Sequence, residues 1–297
     1  MSIAVLIGCM AVLQAVQAAA PQPAGLVGDA GRIAAATTNE ERFDALTGLL
    51  RFRGLTFAAE PFTIDKALGR EPRTEGRNVV VTLGEGADVI VVGAHYDAAR
   101  LADGSLSRGA VDNAASSVVL VRLAEALRAE KLPARVQVVW FDMEEVGLVG
   151  STHYLKRRAS DRIVAMLNFD INAAGSTIVY GPAELPENAA LRRTFVQTCA
   201  AEAVACVGFP QMPPGDDRSF VKAGIPTISI GIVPAVEAHQ LWLMMNAGPN
   251  SGLAEGLAPP ILKTIHTPDD TPEKLSEETM LRMQRFALSL VRTVVRR

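Results

Sequence analysis

Apolar positions along this chain fall into two rhythms, short β-branched runs and longer stretches with one apolar face. Val89-Ile90-Val91-Val92 is a strand signal of the first kind, closed by Gly93. Residues 136–141 form a second run, broken only by Gln137, of the sort that is buried on both faces of a sheet. Further strands are predicted within 55–64 and over 78–83, 163–169 and 226–232. Strands 78–83 and 89–93 flank the turn-like Gly84-Glu85-Gly86-Ala87-Asp88, so they read as adjacent antiparallel neighbours. Thr37-Thr38-Asn39-Glu40-Glu41 opens a helix with a polar cap and first-turn acids, and Gly54 ends it. Other helices are expected over 114–129, 151–158, 186–203 and 276–295. Residues 204–215 and 234–261 read as connections; the apolar cluster Leu241 to Met245 in the second either lines a pocket or forms a short capping helix. Strands alternating with helices imply an α/β three-layer sandwich, with a mixed, mostly parallel sheet covered by helices on both faces.

With 297 residues, 49% of them hydrophobic, the chain can bury a large core. A net charge of −3 and the absence of a basic stripe argue against a nucleic-acid partner. Residues 1–20 carry no charged side chain and end in Ala18-Ala19-Ala20 before Pro21, a pattern that suits a cleaved signal peptide. An uncleaved anchor and a misassigned start are the alternatives, although the apolar run falls short of the about 20 residues a membrane span needs. Export to the periplasm or medium is therefore expected, with residues 21–31 as a linker, a single domain over 32–297, and no stable membrane association after cleavage. Cys9 travels with the apolar run. Cys199 and Cys206 then form either one disulfide or two buried thiols.

The chemistry-bearing residues sit at strand ends and in small-residue loops, where open α/β sheets place their ligands. His95 follows the first run, and Asp97, two residues on, shares its face, as a carboxylate that orients a metal-bound imidazole would. Asp112 lies in Gly109-Ala110-Val111-Asp112-Asn113-Ala114-Ala115-Ser116, where it is either a helix cap or a carboxylate offering one oxygen to each of two ions. Glu144 and Glu145 follow the buried run. Adjacent side chains point apart, so Glu145 can ligate metal while Glu144 faces water as a base; helix N-terminal acids are the plainer reading. Asp170 ends the strand over 163–169, and His266 precedes the pair Asp269-Asp270. His153 and His239 read as ordinary helix or loop residues.

As a set, Gly93-Ala94-His95-Tyr96-Asp97, the Gly109–Ser116 loop, Phe141-Asp142-Met143-Glu144-Glu145-Val146-Gly147, Asn168-Phe169-Asp170 and Ile265-His266-Thr267-Pro268-Asp269-Asp270 resemble the secreted co-catalytic zinc aminopeptidases. The resemblance spans roughly 78–275. It implies a zinc-peptidase (phosphorylase/hydrolase-like) fold and two Zn2+ ions bridged by Asp112, one completed by His95 and Asp170, the other by Glu145 and His266. Glu144 would be the general base, Asp97 the orienting carboxylate, and peptides the substrates, cleaved from the N-terminus. Two features depart from the family. Arg218 stands in Gly215-Asp216-Asp217-Arg218-Ser219-Phe220 where a His is usual, and neither Tyr154 nor Tyr180 sits in the family's tyrosine motif. A glutaminyl-cyclase-like acyltransferase using one zinc is the alternative within the fold. A carboxypeptidase-like enzyme would need a cation for the terminal carboxylate, Arg218 being the first candidate. A non-catalytic binding module on a peptidase scaffold is the alternative of another class.

Overall fold

The two most apolar runs lie side by side in one sheet. The computed structural model describes residues 25–247 and 258–296. Its strands are β1 (Ala58–Thr63), β2 (Glu75–Leu83), β3 (Asp88–His95), β4 (Arg135–Phe141), β5 (Arg162–Phe169), β6 (Thr177–Gly181), β7 (Ala205–Gly208) and β8 (Thr227–Val233). They pair in the order β1-β2-β4-β3-β5-β8-β6-β7. The segment β4-β3-β5-β8 is parallel; β1–β2, β2–β4 and β8–β6 pair antiparallel, and β6–β7 pair parallel.

The period-two alternation of these strands explains the layers. On β3, Ile90, Val92 and Ala94 enter the larger core beneath α1 (Leu26–Ala34), α2 (Asn39–Phe52), α3 (Ala115–Leu127), α5 (Ala189–Ala201) and α9 (Glu277–Val294). Val89 and Val91 face the other way, toward Tyr154 of α4 (Val149–Arg157) and Phe220 of α6 (Asp217–Lys222). Helices thus cover both faces, as expected for a three-layer α/β sandwich. The helix starts follow their caps: the Thr38 hydroxyl accepts from Glu41 N, and Ser276 Oγ from Thr279 N.

Several expectations are corrected. Strands β2 and β3 are not neighbours, because β4 inserts between them and pairs with both. From Val136 to Phe141, β4 is buried throughout, so the backbone groups along both its edges need strand partners, whereas β2 is exposed toward its ends. The expected linker 21–31 runs into α1 at Leu26. Nothing local caps this helix; its first amides, Leu26 N and Val27 N, both donate to the Glu277 carboxylate at 2.8 Å. Its buried Asp29 pairs with Arg53 and Arg122. The connection expected at 204–215 contains β7, a short, half-exposed edge strand. Residues 235–246 of the later connection are α7 (Ala235–Asn246), followed by α8 (Pro260–Thr264). Cys199 and Cys206 are joined in a disulfide between α5 and β7. The expected signal segment and Cys9 lie outside the described residues. Among the described residues, no helix is long and apolar enough to cross a membrane.

Candidate active site

Three adjacent parallel strands, β4, β3 and β5, end on the same edge of the sheet, and their C-terminal loops converge there. His95 is the last residue of β3, Asp170 follows β5, and Glu144-Glu145 come shortly after β4. Asp112 enters from the β3–α3 loop and His266 from the segment after α8. His95 Nε2 lies 3.0 Å from Asp112 Oδ1 and 3.7 Å from Asp170 Oδ1. His266 Nε2 lies 3.2 Å from Asp112 Oδ2 and 2.9 Å from Glu145 Oε2. The five residues therefore form two triads, His95-Asp112-Asp170 and Asp112-Glu145-His266, that share Asp112, one oxygen to each. The two sets match the division implied by the family resemblance.

Each ligand-bearing loop is held from behind. Gly109, at φ 50°, adopts the left-handed conformation that turns the chain into Asp112; a Cβ there would meet the Asp112 carbonyl oxygen at 2.6 Å. The buried Asp270 carboxylate accepts from Val111 N at 2.6 Å and Asp112 N at 3.2 Å, tying the His266 segment to the Asp112 loop. Asn113 donates to the Phe169 carbonyl and accepts from Ile171 N, bracketing Asp170. Asp97 accepts from Glu144 N at 3.2 Å and Glu145 N at 3.3 Å, and its carbonyl lies 3.2 Å from His95 Nδ1. With Nδ1 held there, His95 Nε2 is left free to ligate. Arg42, fully buried, donates to the carbonyls of Tyr96, Arg108 and Gly109, joining the His95 and Asp112 loops. Met143, Ile171 and His266 all have positive φ beside or at a site residue, which is where such uncommon conformations concentrate.

The charges in this cleft are out of balance. Burial, with Asp216, Glu145 and Asp170 nearby and His95 opposing, pushes the Glu144 carboxyl well above its usual range. Burial and Asp112 push Glu145 up to about 7. Burial works to raise Asp112, but hydrogen bonds from His266 and His95 outweigh it and hold Asp112 well below the usual carboxylate range. His266 in turn is pushed up to about 11 by Asp112 and Glu145. Glu145 Oε1 and Asp170 Oδ1 are buried without a hydrogen-bond partner. Carboxylates crowded this way, with orphaned oxygens and imidazole nitrogens aimed inward, fit divalent cations; nitrogen and oxygen donors of this kind suit zinc.

Other functional neighbours were less evident from the sequence. Asp216 and Asp217 are buried, with only the Ser151 hydroxyl near the first carboxylate and the backbone amides of Asp217 and Arg218 near the second to offset their desolvation. Asp217 Oδ1 and Asp170 Oδ2 both lie close to Gly215, 3.2 and 3.7 Å from where its Cβ would be. Arg218 is exposed and donates to the Met212 carbonyl at 2.9 Å, propping the loop that walls an adjacent cavity. Of the tyrosines, Tyr96 donates to the Arg77 carbonyl, Tyr154 to Gln137, and Tyr180 packs on Phe195. His153 stacks on Phe62, and His239 hydrogen-bonds within α7, both apart from the site. Two spaces flank the candidate ligands. One, of about 80 Å³, is apolar and lies beside Asp170, walled by Phe209, Met212, Val233, Leu241 and Ile265. The other, a cleft of about 610 Å³, opens past Glu145 and His266.

The family model for Peptidase family M28 matches residues 78–291. Over 137 residues the chain is 35% identical to an aminopeptidase of Pseudomonas aeruginosa, a stretch covering 41% of this chain and 25% of that one. The chain thus spans about a quarter of that relative's length. Among solved structures, a zinc aminopeptidase from Bacillus subtilis superposes with a TM-score of 0.58 at 19% identity, covering 73% of this chain and 50% of that one. The Porphyromonas gingivalis glutaminyl cyclase superposes with a TM-score of 0.68 at 18% identity, covering 90% and 96%. These likenesses establish the shared fold, and the match across 78–291 establishes more: this chain belongs to peptidase family M28.

Proposed function

We propose that this protein is a two-zinc aminopeptidase that removes apolar N-terminal residues from peptides outside the cytoplasm. The observation that carries this reading is the pair of triads sharing Asp112, with Glu144 beside them. His95, Asp112 and Asp170 would hold one ion, and Asp112, Glu145 and His266 the other. Zinc bound there supplies Lewis acidity, polarising the scissile carbonyl and lowering the pKa of water. Glu144 takes the proton of the attacking water and passes it to the leaving amine. Its raised proton affinity suits both halves of that task. Asp97 fixes the Glu144 backbone and the His95 ring together, so base and ligand keep their register. The apolar cavity beside Asp170 takes the N-terminal side chain, and the carboxylates around it balance the free α-ammonium group. Two complete triads, each with an imidazole, favour two ions over the single zinc of a cyclase-like enzyme.

The experiment is Glu144→Gln in the zinc-loaded protein. Turnover of leucyl-4-nitroanilide should fall by about 10²-fold or more, on the scale of lost general acid–base catalysis, while zinc stays at two ions per chain. Retained turnover removes Glu144 from its role. One zinc per chain, with cyclisation of N-terminal glutamine, would favour the cyclase-like enzyme instead.

A further inference from the structure

The cleft past Glu145 and His266 contains charges that the reading above leaves unused. Arg70 stands at the corner of a tight turn, Leu68–Glu71, closed by a bond from Glu71 N to the Leu68 carbonyl. The turn presents Arg70 exposed on the cleft wall, and no hydrogen bond or ion pair is found for it among the described residues. Arg100 lines the same cleft from the base of a hairpin, Arg100–Leu106, pinned by Ser107 N donating to the Ala99 carbonyl. One Arg100 nitrogen donates to the Gly104 carbonyl at 3.1 Å, while its buried Nε has no hydrogen-bond partner. That Nε makes a long ion pair, 3.7 Å, with Glu71, a carboxylate it shares with Asn39 Nδ2, Arg73 N and Arg73 Nε. Two guanidinium groups thus border one cleft with the metal-ligand candidates Glu145 and His266; Glu71 and Asp97 line it too, with Glu71 shared between Arg100 and Arg73 and Arg70 left without an ion pair among the described residues.

On the aminopeptidase reading, on which this inference rests, the scissile carbonyl lies over Glu144 between two unequal spaces. The small apolar cavity beside Asp170 admits one side chain and takes the N-terminal residue. The leaving part must then run into the larger cleft, toward Arg70 and Arg100. Guanidinium groups recognise carboxylates through paired N–H donors. We propose that Arg70 and Arg100 bind a carboxylate on the leaving residue, so that this enzyme prefers substrates bearing a negative charge directly after the scissile bond. Two sources share that chemistry: the C-terminus of a dipeptide, and an acidic side chain in the second position of a longer peptide.

The test uses the zinc-loaded enzyme with leucyl-glycine, leucyl-glycinamide, leucyl-aspartic acid α-amide, whose side-chain carboxylate is free, and leucyl-4-nitroanilide. Leucyl-glycine should exceed its amide in kcat/KM by about tenfold, the scale of one charge-assisted hydrogen bond, mainly through KM. In Arg70→Ala/Arg100→Ala that ratio should fall toward one. A preference for leucyl-aspartic acid α-amide over leucyl-glycinamide assigns the site to acidic side chains; its absence assigns the site to dipeptide C-termini. A reduced-bond leucyl-glycine analogue, which cannot be cleaved, should bind more tightly by calorimetry as the acid than as the amide. An acid-to-amide ratio near one together with no preference for leucyl-aspartic acid α-amide, in the unaltered enzyme, overturns the proposal whether or not the variants fold. So does a ratio that survives the double substitution. If leucyl-4-nitroanilide is cleaved while neither carboxylate raises turnover, only the carboxylate site fails. If every substrate is inert, the aminopeptidase reading fails with it.

Discussion

Asp270→Ala tests how the site is built rather than what fills it. The Asp270 side chain is fully buried and accepts two backbone N–H groups, from Val111 at 2.6 Å and Asp112 at 3.2 Å. Hydrogen bonds to a charged acceptor contribute about 1.5–3 kcal/mol each, and removing the acceptor leaves two buried donors unpaired. Both bonds end on one carboxylate and are not independent, so a loss of about 3–5 kcal/mol is expected in the metal-free protein. The same bonds fix the residue that both triads share, so zinc affinity should fall by about 10–100-fold, as for other groups that orient ligands. Urea unfolding of the metal-free protein reads the first effect, and competition with a chromophoric zinc chelator reads the second. Asp269→Ala is the internal control, because that side chain is exposed and should move stability by no more than about 0.5 kcal/mol. If Asp270→Ala behaves like the control in both assays, Asp270 does not brace the Asp112 loop.

Two pH effects follow from the buried charges. Without metal, Asp112 and Glu145 hold His266 protonated, with its pKa pushed up to about 11, so zinc must displace that proton. Apparent zinc affinity should therefore rise from pH 6 to pH 8, and calorimetry in buffers of different ionisation heat should register proton release; zero release contradicts this. Burial pushes Asp216 up to about 8, above its unfolded value, so its charged form weakens the fold increasingly as pH rises from about 4 through 8. Asp216→Asn should then raise the urea midpoint of the metal-free protein at pH 8 and change it little at pH 5. An equal loss at both values would mean that the carboxylate is needed in place.

The strand ends carrying His95, Glu145 and Asp170 were readable because buried parallel strands announce themselves as unbroken apolar runs. Their order in the sheet was not. The short segment after β2 reads as a hairpin turn, yet the buried strand β4 arrives about fifty residues after β2 and takes the place between. The start of α1 was hidden for a similar reason, since its cap is the side chain of Glu277, far along the chain. Among site residues, those whose chemistry is local stood out, while Arg42 and Asp270 did not. Arg42 reads as a polar position in an amphipathic helix, and its role exists only once three carbonyls from distant loops surround it. Asp270 looked like half of an acidic pair, and only folding separates it, buried, from the exposed Asp269. Asp216 and Asp217 were visible only as neighbours of Arg218, the departure from the family motif, and nothing in the sequence reveals that both are desolvated.

Anomalous diffraction at the zinc edge, from crystals of the zinc-loaded protein, asks whether Asp112 joins two ions. Two peaks should flank its carboxylate, one within coordinating distance of His95 and Asp170, the other of Glu145 and His266. A single peak, or two peaks away from Asp112, would contradict the two-zinc site.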